Sequence, residues 1–287
     1  MADRAKELNK IAMVISSQVI RGAVGNRVNV FMLERLGFGV WAMPTVIMPW
    51  QPRQGDSHKM AVPAADFTAW AEEIAASDKS LEIDAVISGY FAAPYQVEQA
   101  AKLIRALKAK KPNLLFLCDP IMGNEYGPYV SKPVMEAVIS ELVPPADVVK
   151  PNRNELEWIC GEKFHSNTDI IAAVKKRFAG KPFFVSSAFT EHKGDFGNLY
   201  YGGREVWLAE HPGAATPLNG FGDVIAAILL QRYMAGDKPA DIAGKTAAAV
   251  YDYLTWTMQA GGDELALSTA PVNPLKPQAK VKLRQLL

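Results

Sequence analysis

The chain has 287 residues, 49% of them apolar, and a formal charge of +1 from 31 basic and 30 acidic residues. It can hold one large α/β domain or two small ones, and the balanced charge gives no overall field for nucleic acid or an anionic membrane, leaving small neutral or zwitterionic ligands. Cys118 and Cys160 are far apart with no C-x-x-C, the charged start at residues 1–10 has no apolar h-region, and no apolar stretch is long enough to span a bilayer. A cytoplasmic protein with reduced thiols is expected.

In chain order, strand-like and helix-like segments alternate. Residues 11–17 form a short apolar run ending in Ser16 and Ser17, and after the glycine turn at 22–25 residues 27–36 carry apolar side chains at helical spacing. Residues 39–48 are rich in strand formers. Residues 49–63 hold prolines, Gly55 and polar residues without a period, which predicts a mobile loop or lid. Residues 63–77 and 94–111 read as helices, 83–90 and 114–119 as strands, the last stopping at Asp119-Pro120. A helix over 132–143, a strand over 146–150 and helices over 152–160 and 168–179 follow. Strands are expected over 182–187, 198–201 and 205–209, with Gly202-Gly203 turning a hairpin between the last two. Helices over 224–234 and 240–258 close the chain. Buried strands followed by helices predict an α/β fold, a central and mostly parallel sheet with helices on both faces. No linker, repeat or low-complexity tract interrupts it, so a single domain is expected.

In such a sheet ligands bind beyond the carboxyl ends of the strands, where this sequence places Ser16-Ser17, Ser88-Gly89-Tyr90, Asp119-Pro120 and Pro151-Asn152. Tyr90 reads either as a ring over a planar ligand or as a half-buried tyrosine packed on a neighbouring helix. Asp119 reads as a Mg²⁺-side carboxylate or as an Asp-Pro turn starter. Asn152 and Glu155 have the spacing of an N-cap with its capping-box acid, and could also orient metal-bound water. The chain is organised around residues 217–227, Pro-Leu-Asn-Gly-Phe-Gly-Asp-Val-Ile-Ala-Ala. Gly220 and Gly222 let the backbone approach a ligand, the first turn of the following helix offers N–H groups to phosphate oxygens, and Asp223 stands ready to accept the proton of an attacking hydroxyl. The alternative is a glycine turn in which Asp223 merely caps the helix. Gly244-Lys245-Thr246 is not a P-loop, since it lacks the glycine spacing and lies within a helical pattern. Gly220-Phe221-Gly222 lacks the third glycine of a dinucleotide fingerprint. His58, His165, His192 and His211 have no zinc spacing, and no G-x-S-x-G elbow is present.

Ser16-Ser17-Gln18-Val19, residues 22–26 (Gly-Ala-Val-Gly-Asn), Leu36-Gly37, Val40-Trp41 and Pro44-Thr45-Val46 together resemble the N-terminal region of pyridoxal kinases, within the ribokinase-like superfamily. Ser88-Gly89-Tyr90, Cys118-Asp119-Pro120-Ile121-Met122-Gly123, Lys150-Pro151-Asn152 with Glu155-Leu156-Glu157, and Gly220-Phe221-Gly222-Asp223 follow in that family's order, covering nearly the whole chain. The resemblance implies a ribokinase-like fold and ATP-dependent phosphorylation of the 5′-hydroxymethyl group of pyridoxal, with Mg²⁺, a monovalent cation as a further candidate, and a homodimer. It implies Asp223 as catalytic base beside an anion hole of the Gly220, Phe221 and Gly222 amides. Ser17, Thr45 and Tyr90, with Asp223, fall on the substrate side. Asp119, Val149, Asn152, Glu155 and Ser186 fall on the nucleotide side, with Asp119 and Glu155 also toward the metal.

The chain departs from the family in four places. Phe221 stands where a small or β-branched residue is usual. Residues 49–54, Pro-Trp-Gln-Pro-Arg-Gln, replace an Asn-His-Thr-x-Tyr-like substrate loop. Phe184-Val185-Ser186-Ser187 lacks an expected nucleotide-side lysine, and Asn124 replaces an acid. Another ribokinase-like kinase, acting on hydroxymethylpyrimidine or a sugar, and a catalytically weak protein that binds vitamin B6 are the alternatives. Phe31, Met32, Met48 and Trp50 read either as a dimer interface or as ordinary core.

Overall fold

The computed structural model describes residues 10–178, 180–213 and 218–287; Pro217, where the organising stretch begins, lies outside them, as does the predicted helix end at position 179. The chain forms two compact units, one from Met1–Pro120 with Val130–Ala146, the other from Ile121–Tyr129 with Asp147–Leu287.

The first unit is a βα assembly. β1 (Ile11–Val19) leads through α1 (Asn26–Arg35) to β2 (Gly39–Met48), and the strands pair in parallel from Ile11 opposite Gly39 to Val19 opposite Met48. The segment expected as a loop or lid contains a short 3₁₀ turn at Pro52–Gln54 and an edge strand, β3 (Met60–Ala61), antiparallel to β2. After α2 (Ala64–Ala76), β4 (Ile83–Ser88) pairs with β1 on its other side, and α3 (Pro94–Lys110) carries the chain to β5 (Leu115–Cys118), parallel to β4. The strand order is β5-β4-β1-β2-β3. Ala12, Met13, Val14 and Ile15 are all buried, as successive residues of a strand can be only when helices cover both faces of the sheet. α3 shows how the pattern makes the element. Pro94 occupies its first turn, Val97, Ala100, Ala101, Ile104 and Leu107 form its buried stripe, and Lys108 and Lys110 stand at the negative end of its dipole. The helix expected over 132–143 is α4 (Lys132–Ala137) only to Ala137, after which Val138–Leu142 widens into a π turn. Met32 and Met48 are buried core; Phe31 and Trp50 are partly exposed.

The second unit begins with a small hairpin, β6 (Gly123–Asn124) and β7 (Gly127–Pro128). β8 (Val148–Val149) is followed by α5 (Arg153–Cys160), α6 (Asn167–Phe178) and β9 (Phe183–Ala188), which is parallel to β8. From there the sheet turns antiparallel: β10 (Asp195–Tyr201), β11 (Val206–Pro212) and a C-terminal strand, β12 (Lys282–Gln285), in the order β12-β11-β10-β9-β8. The predicted glycine turn joins β10 to β11, closed by Gly202 N donating to Glu205 O at 2.9 Å. α7 (Phe221–Met234) is buried from Val224 to Leu230 on every side, as its uniformly apolar sequence requires. α8 (Pro239–Ala260) packs on α7, β10 and β11. Gly244, the false P-loop glycine, lies inside α8, where an added Cβ would sit 3.3 Å from Leu283 of β12. Its small size is a packing feature.

Candidate active site

In the first unit the chain leaves β1 toward β2 and later returns to β4 on the opposite side. Such a reversal opens a crevice at the carboxyl ends of β1 and β4, and the predicted substrate-side residues stand there. Ser16 Oγ accepts from Tyr90 N at 3.1 Å, and Gly89 N donates to Ile15 O at 2.9 Å, so β4 is tied to β1 beyond its last residue. Thr45 Oγ1 donates to Tyr90 O at 2.7 Å, and Gln96 Nε2 donates to Thr45 O at 2.7 Å. Ser17 is buried, with Gly25 packed against its carbonyl and hydroxyl. Tyr90 is half-buried against Val19, Val46 and Met48, so it packs on strand ends where a helix was the expected neighbour. Burial raises its phenol pKa, which keeps it a neutral hydrogen-bond donor. Asp119, 2% exposed, directly follows β5, and its N–H donates to Ser88 O at 2.9 Å. Ser17, Thr45, Tyr90 and Asp119 therefore share the strand-end rim of this unit. Gln96 had no signal in sequence beyond its helix, yet it braces Thr45.

The second unit gathers the phosphate-side residues. Gly220, at φ 97°, is the N-cap of α7, which makes Phe221, Gly222 and Asp223 its first turn. Asp223 is thus the third helical residue and not the N-cap. It is a first-turn carboxylate, 6% exposed, on a turn whose N–H groups have no partners within the helix. Lys150 follows β8 and donates from Nζ to Gly222 O at 3.1 Å. Two residues on, Asn152 is the N-cap of α5 in a reciprocal capping box: Asn152 Oδ1 accepts from Glu155 N at 2.9 Å and Glu155 Oε2 from Asn152 N at 2.8 Å. Glu155 Oε1 also accepts from Met122 N at 3.0 Å, and Asn152 Nδ2 donates to Gly123 O at 2.8 Å, so one local pair holds the base of the β6–β7 hairpin. Ser186 N donates to Pro151 O at 3.1 Å, setting Ser186 beside Asn152 at the end of β9. Ser187 is the extra residue of a bulge between β9 and β10, with φ 57°. Val149, Asn152, Glu155, Ser186 and the Gly220–Asp223 turn therefore belong to one unit, with Lys150 among them. The lysine expected after β9 is absent there, and Lys150 stands at the end of β8. Its signal was a lysine ending an apolar run, which reads as a strand end until its burial is seen.

Asp119 in the first unit and Glu155 in the second each carry hard oxygens of the kind Mg²⁺ prefers. Glu155 already receives backbone N–H groups on both oxygens, so its direct role is to hold the loop, and it would serve a cation through remaining lone pairs or water. Among the described residues no three His, Cys, Asp or Glu side chains are grouped to hold a metal. The lone pairs left on Glu155 fit a Mg²⁺ ion that keeps most of its waters and shares phosphate oxygens.

A helix-covered sheet with an acid in the first turn of a late, glycine-entered helix is the plan of the ribokinase-like kinases. The structure superposes on the pyridoxal kinase of Entamoeba histolytica with a TM-score of 0.87 at 21% identity, covering 97% of this chain and 100% of that one. With the pyridoxal kinase of Leishmania donovani in complex with ADP and ginkgotoxin the TM-score is 0.86 at 26% identity, over 97% and 100% of the two chains. In sequence, the phosphomethylpyrimidine kinase family model matches residues 38–266. A pyridoxal kinase of Paraburkholderia phymatum is 30% identical over 279 residues, 94% of this chain and 96% of the relative. The chain belongs to the pyridoxal kinase family, and its family-level activity is ATP-dependent phosphotransfer.

Proposed function

We propose that this chain transfers the γ-phosphoryl group of ATP to the 5′-hydroxymethyl group of pyridoxal, giving pyridoxal 5′-phosphate and ADP. The observation that carries the reading is the first turn of α7, where Gly220 opens the helix and Asp223 is buried three residues in. The hydroxyl oxygen forms a bond to the γ-phosphorus as the bond to the ADP oxygen breaks, and the hydroxyl proton passes to the Asp223 carboxylate. The Phe221 and Gly222 amides face the charge on the phosphoryl oxygens. Ser17, Thr45 and Tyr90 are the ring-side residues. Asp119, Val149, Asn152, Glu155 and Ser186 serve the nucleotide, with Mg²⁺ neutralising phosphate charge. We further place the protein in the cytoplasm as a homodimer; no helix of the described residues is long and apolar enough to cross a membrane.

The match to the phosphomethylpyrimidine kinase model, with the Pro-Trp-Gln-Pro-Arg-Gln loop at 49–54, supports hydroxymethylpyrimidine as a second substrate. A coupled ADP-release assay with pyridoxal, pyridoxine, pyridoxamine and hydroxymethylpyrimidine decides. The reading expects the highest kcat/KM with pyridoxal. A higher value with hydroxymethylpyrimidine reassigns the substrate, and vitamer binding without turnover reduces the protein to a carrier.

A further inference from the structure

Lys150 has no part in the scheme above, yet its position is unusual for a lysine. It is 3% exposed, its Nζ donates to the carbonyl of Gly222, and an added Cβ on Gly222 would lie 3.2 Å from that nitrogen. The ammonium is pressed against the second residue of α7. Taking an ammonium out of water costs several kcal/mol, and the positive end of a helix dipole opposes it further. Such a placement is stable where negative charge collects. A polyphosphate at the N–H groups of that turn is such a charge.

We propose that Lys150 is a catalytic residue that contacts the transferred phosphoryl oxygens, an inference that rests on the phosphotransferase reading. As the new O–P bond forms and the bond to ADP breaks, charge spreads over the equatorial and leaving oxygens. A fixed ammonium stabilises that charge, while Asp223 keeps the separate task of accepting the proton. The hydrogen bond to Gly222 O sets where the ammonium stands relative to the helix mouth. The competing role is indirect: Lys150 acts through Asp223 by setting its basicity. That role moves the acid limb of the pH profile, whereas contact with phosphate leaves it in place.

The test compares wild type, Lys150→Gln, Lys150→Arg and Gly222→Ala in Mg²⁺. Lys150→Gln is expected to lower kcat about 10²–10³-fold, with KM for pyridoxal and the acid limb of kcat/KM unchanged, and Lys150→Arg to recover part of the loss. By calorimetry, a non-hydrolysable ATP analogue loses about tenfold in affinity with Lys150→Gln while ADP loses little, as expected for one charge-assisted contact to the terminal phosphate. Gly222→Ala keeps the lysine but displaces its ammonium, so kcat falls at a wild-type urea midpoint. The proposal is overturned if Lys150→Gln keeps kcat within about threefold of wild type, leaves the analogue's affinity unchanged, or moves the acid limb. Should Lys150→Gln not fold, Gly222→Ala decides, and an unchanged kcat with that variant overturns it. A wild type that turns over no substrate, yet loses analogue affinity with Lys150→Gln, would sink the pyridoxal kinase reading and leave the phosphate contact standing.

Discussion

Alanine at Gly25 should damage both stability and substrate binding, for reasons that can be separated. Gly25 has φ 58° and ψ −133°, a region open almost only to glycine, and holding another residue there costs about 1–3 kcal/mol. A Cβ would also fall 2.3 Å from the Ser17 carbonyl oxygen and 2.4 Å from Ser17 Oγ. To reach 3.0 Å, the shortest approach real Cβ atoms show, the contact must open by 0.7 Å. Forcing a methyl into packed structure costs about another 1–3 kcal/mol, for a total of about 2–6 kcal/mol out of a usual stability of about 5–15. Ser17 is the residue that must move, so KM for pyridoxal should rise about tenfold or more. Gly37→Ala is the control, since Gly37 also has positive φ, 90°, but nothing lies within 4 Å of its Cβ position. It should cost about 1–2 kcal/mol and leave KM alone. Urea unfolding followed by circular dichroism, with steady-state kinetics, measures both terms. Equal destabilisation in the two variants, with KM unchanged in both, would refute the steric argument.

Two other perturbations test the second unit. Glu155→Gln removes a charged acceptor from Asn152 N and Met122 N and should cost about 1.5–3 kcal/mol in urea unfolding; a change under about 0.5 would show that the capping box does not hold the hairpin base. His211 is buried, stacks on Tyr251 at 4.9 Å and donates from Nδ1 to Pro212 O. Desolvation lowers its pKa below 6.5, against smaller raising effects of that hydrogen bond and of Asp195. The unfolded chain therefore takes up a proton below pH 6.5 that the folded chain refuses. The stabilising effect is full above pH 6.5 and is lost as pH falls from there toward the folded value, with a slope of at most about 1.4 kcal/mol per pH unit. His211→Asn should flatten that part of the urea-midpoint profile, and an unaltered slope would contradict the assignment.

Much of this architecture was legible because its signals are local. The α3 stripe of Val97, Ala100, Ala101, Ile104 and Leu107 repeats at helical spacing, Pro94 marks its start, and the expected and observed helices differ by one residue. Asn152 and Glu155 announce their capping box three residues apart. Features that depend on distant partners were not legible. β12 is a short, charged edge strand, Lys-Leu-Arg-Gln, held by pairing with β11 and by Arg284 donating to Glu210 Oε2 at 2.9 Å, and neither appears in its own residues. The bulge at Ser187 is a fact of register between β9 and β10. Lys150 is separated by 72 residues from the carbonyl it binds. On the candidate site, the glycine turn with its acid could be read directly, while whether Asp223 caps the helix or stands within its first turn needed the backbone at Gly220.

The most direct test of the account is kcat for pyridoxal with Asp223→Asn, measured by coupled ADP release at saturating ATP. Asparagine keeps the size of the side chain while removing its negative charge and its ability to take a proton. The account predicts a fall of about 10²–10⁴-fold with pyridoxal KM and the urea midpoint close to wild type. Turnover within about fivefold of wild type would contradict it, because a positioned base contributes far more than that.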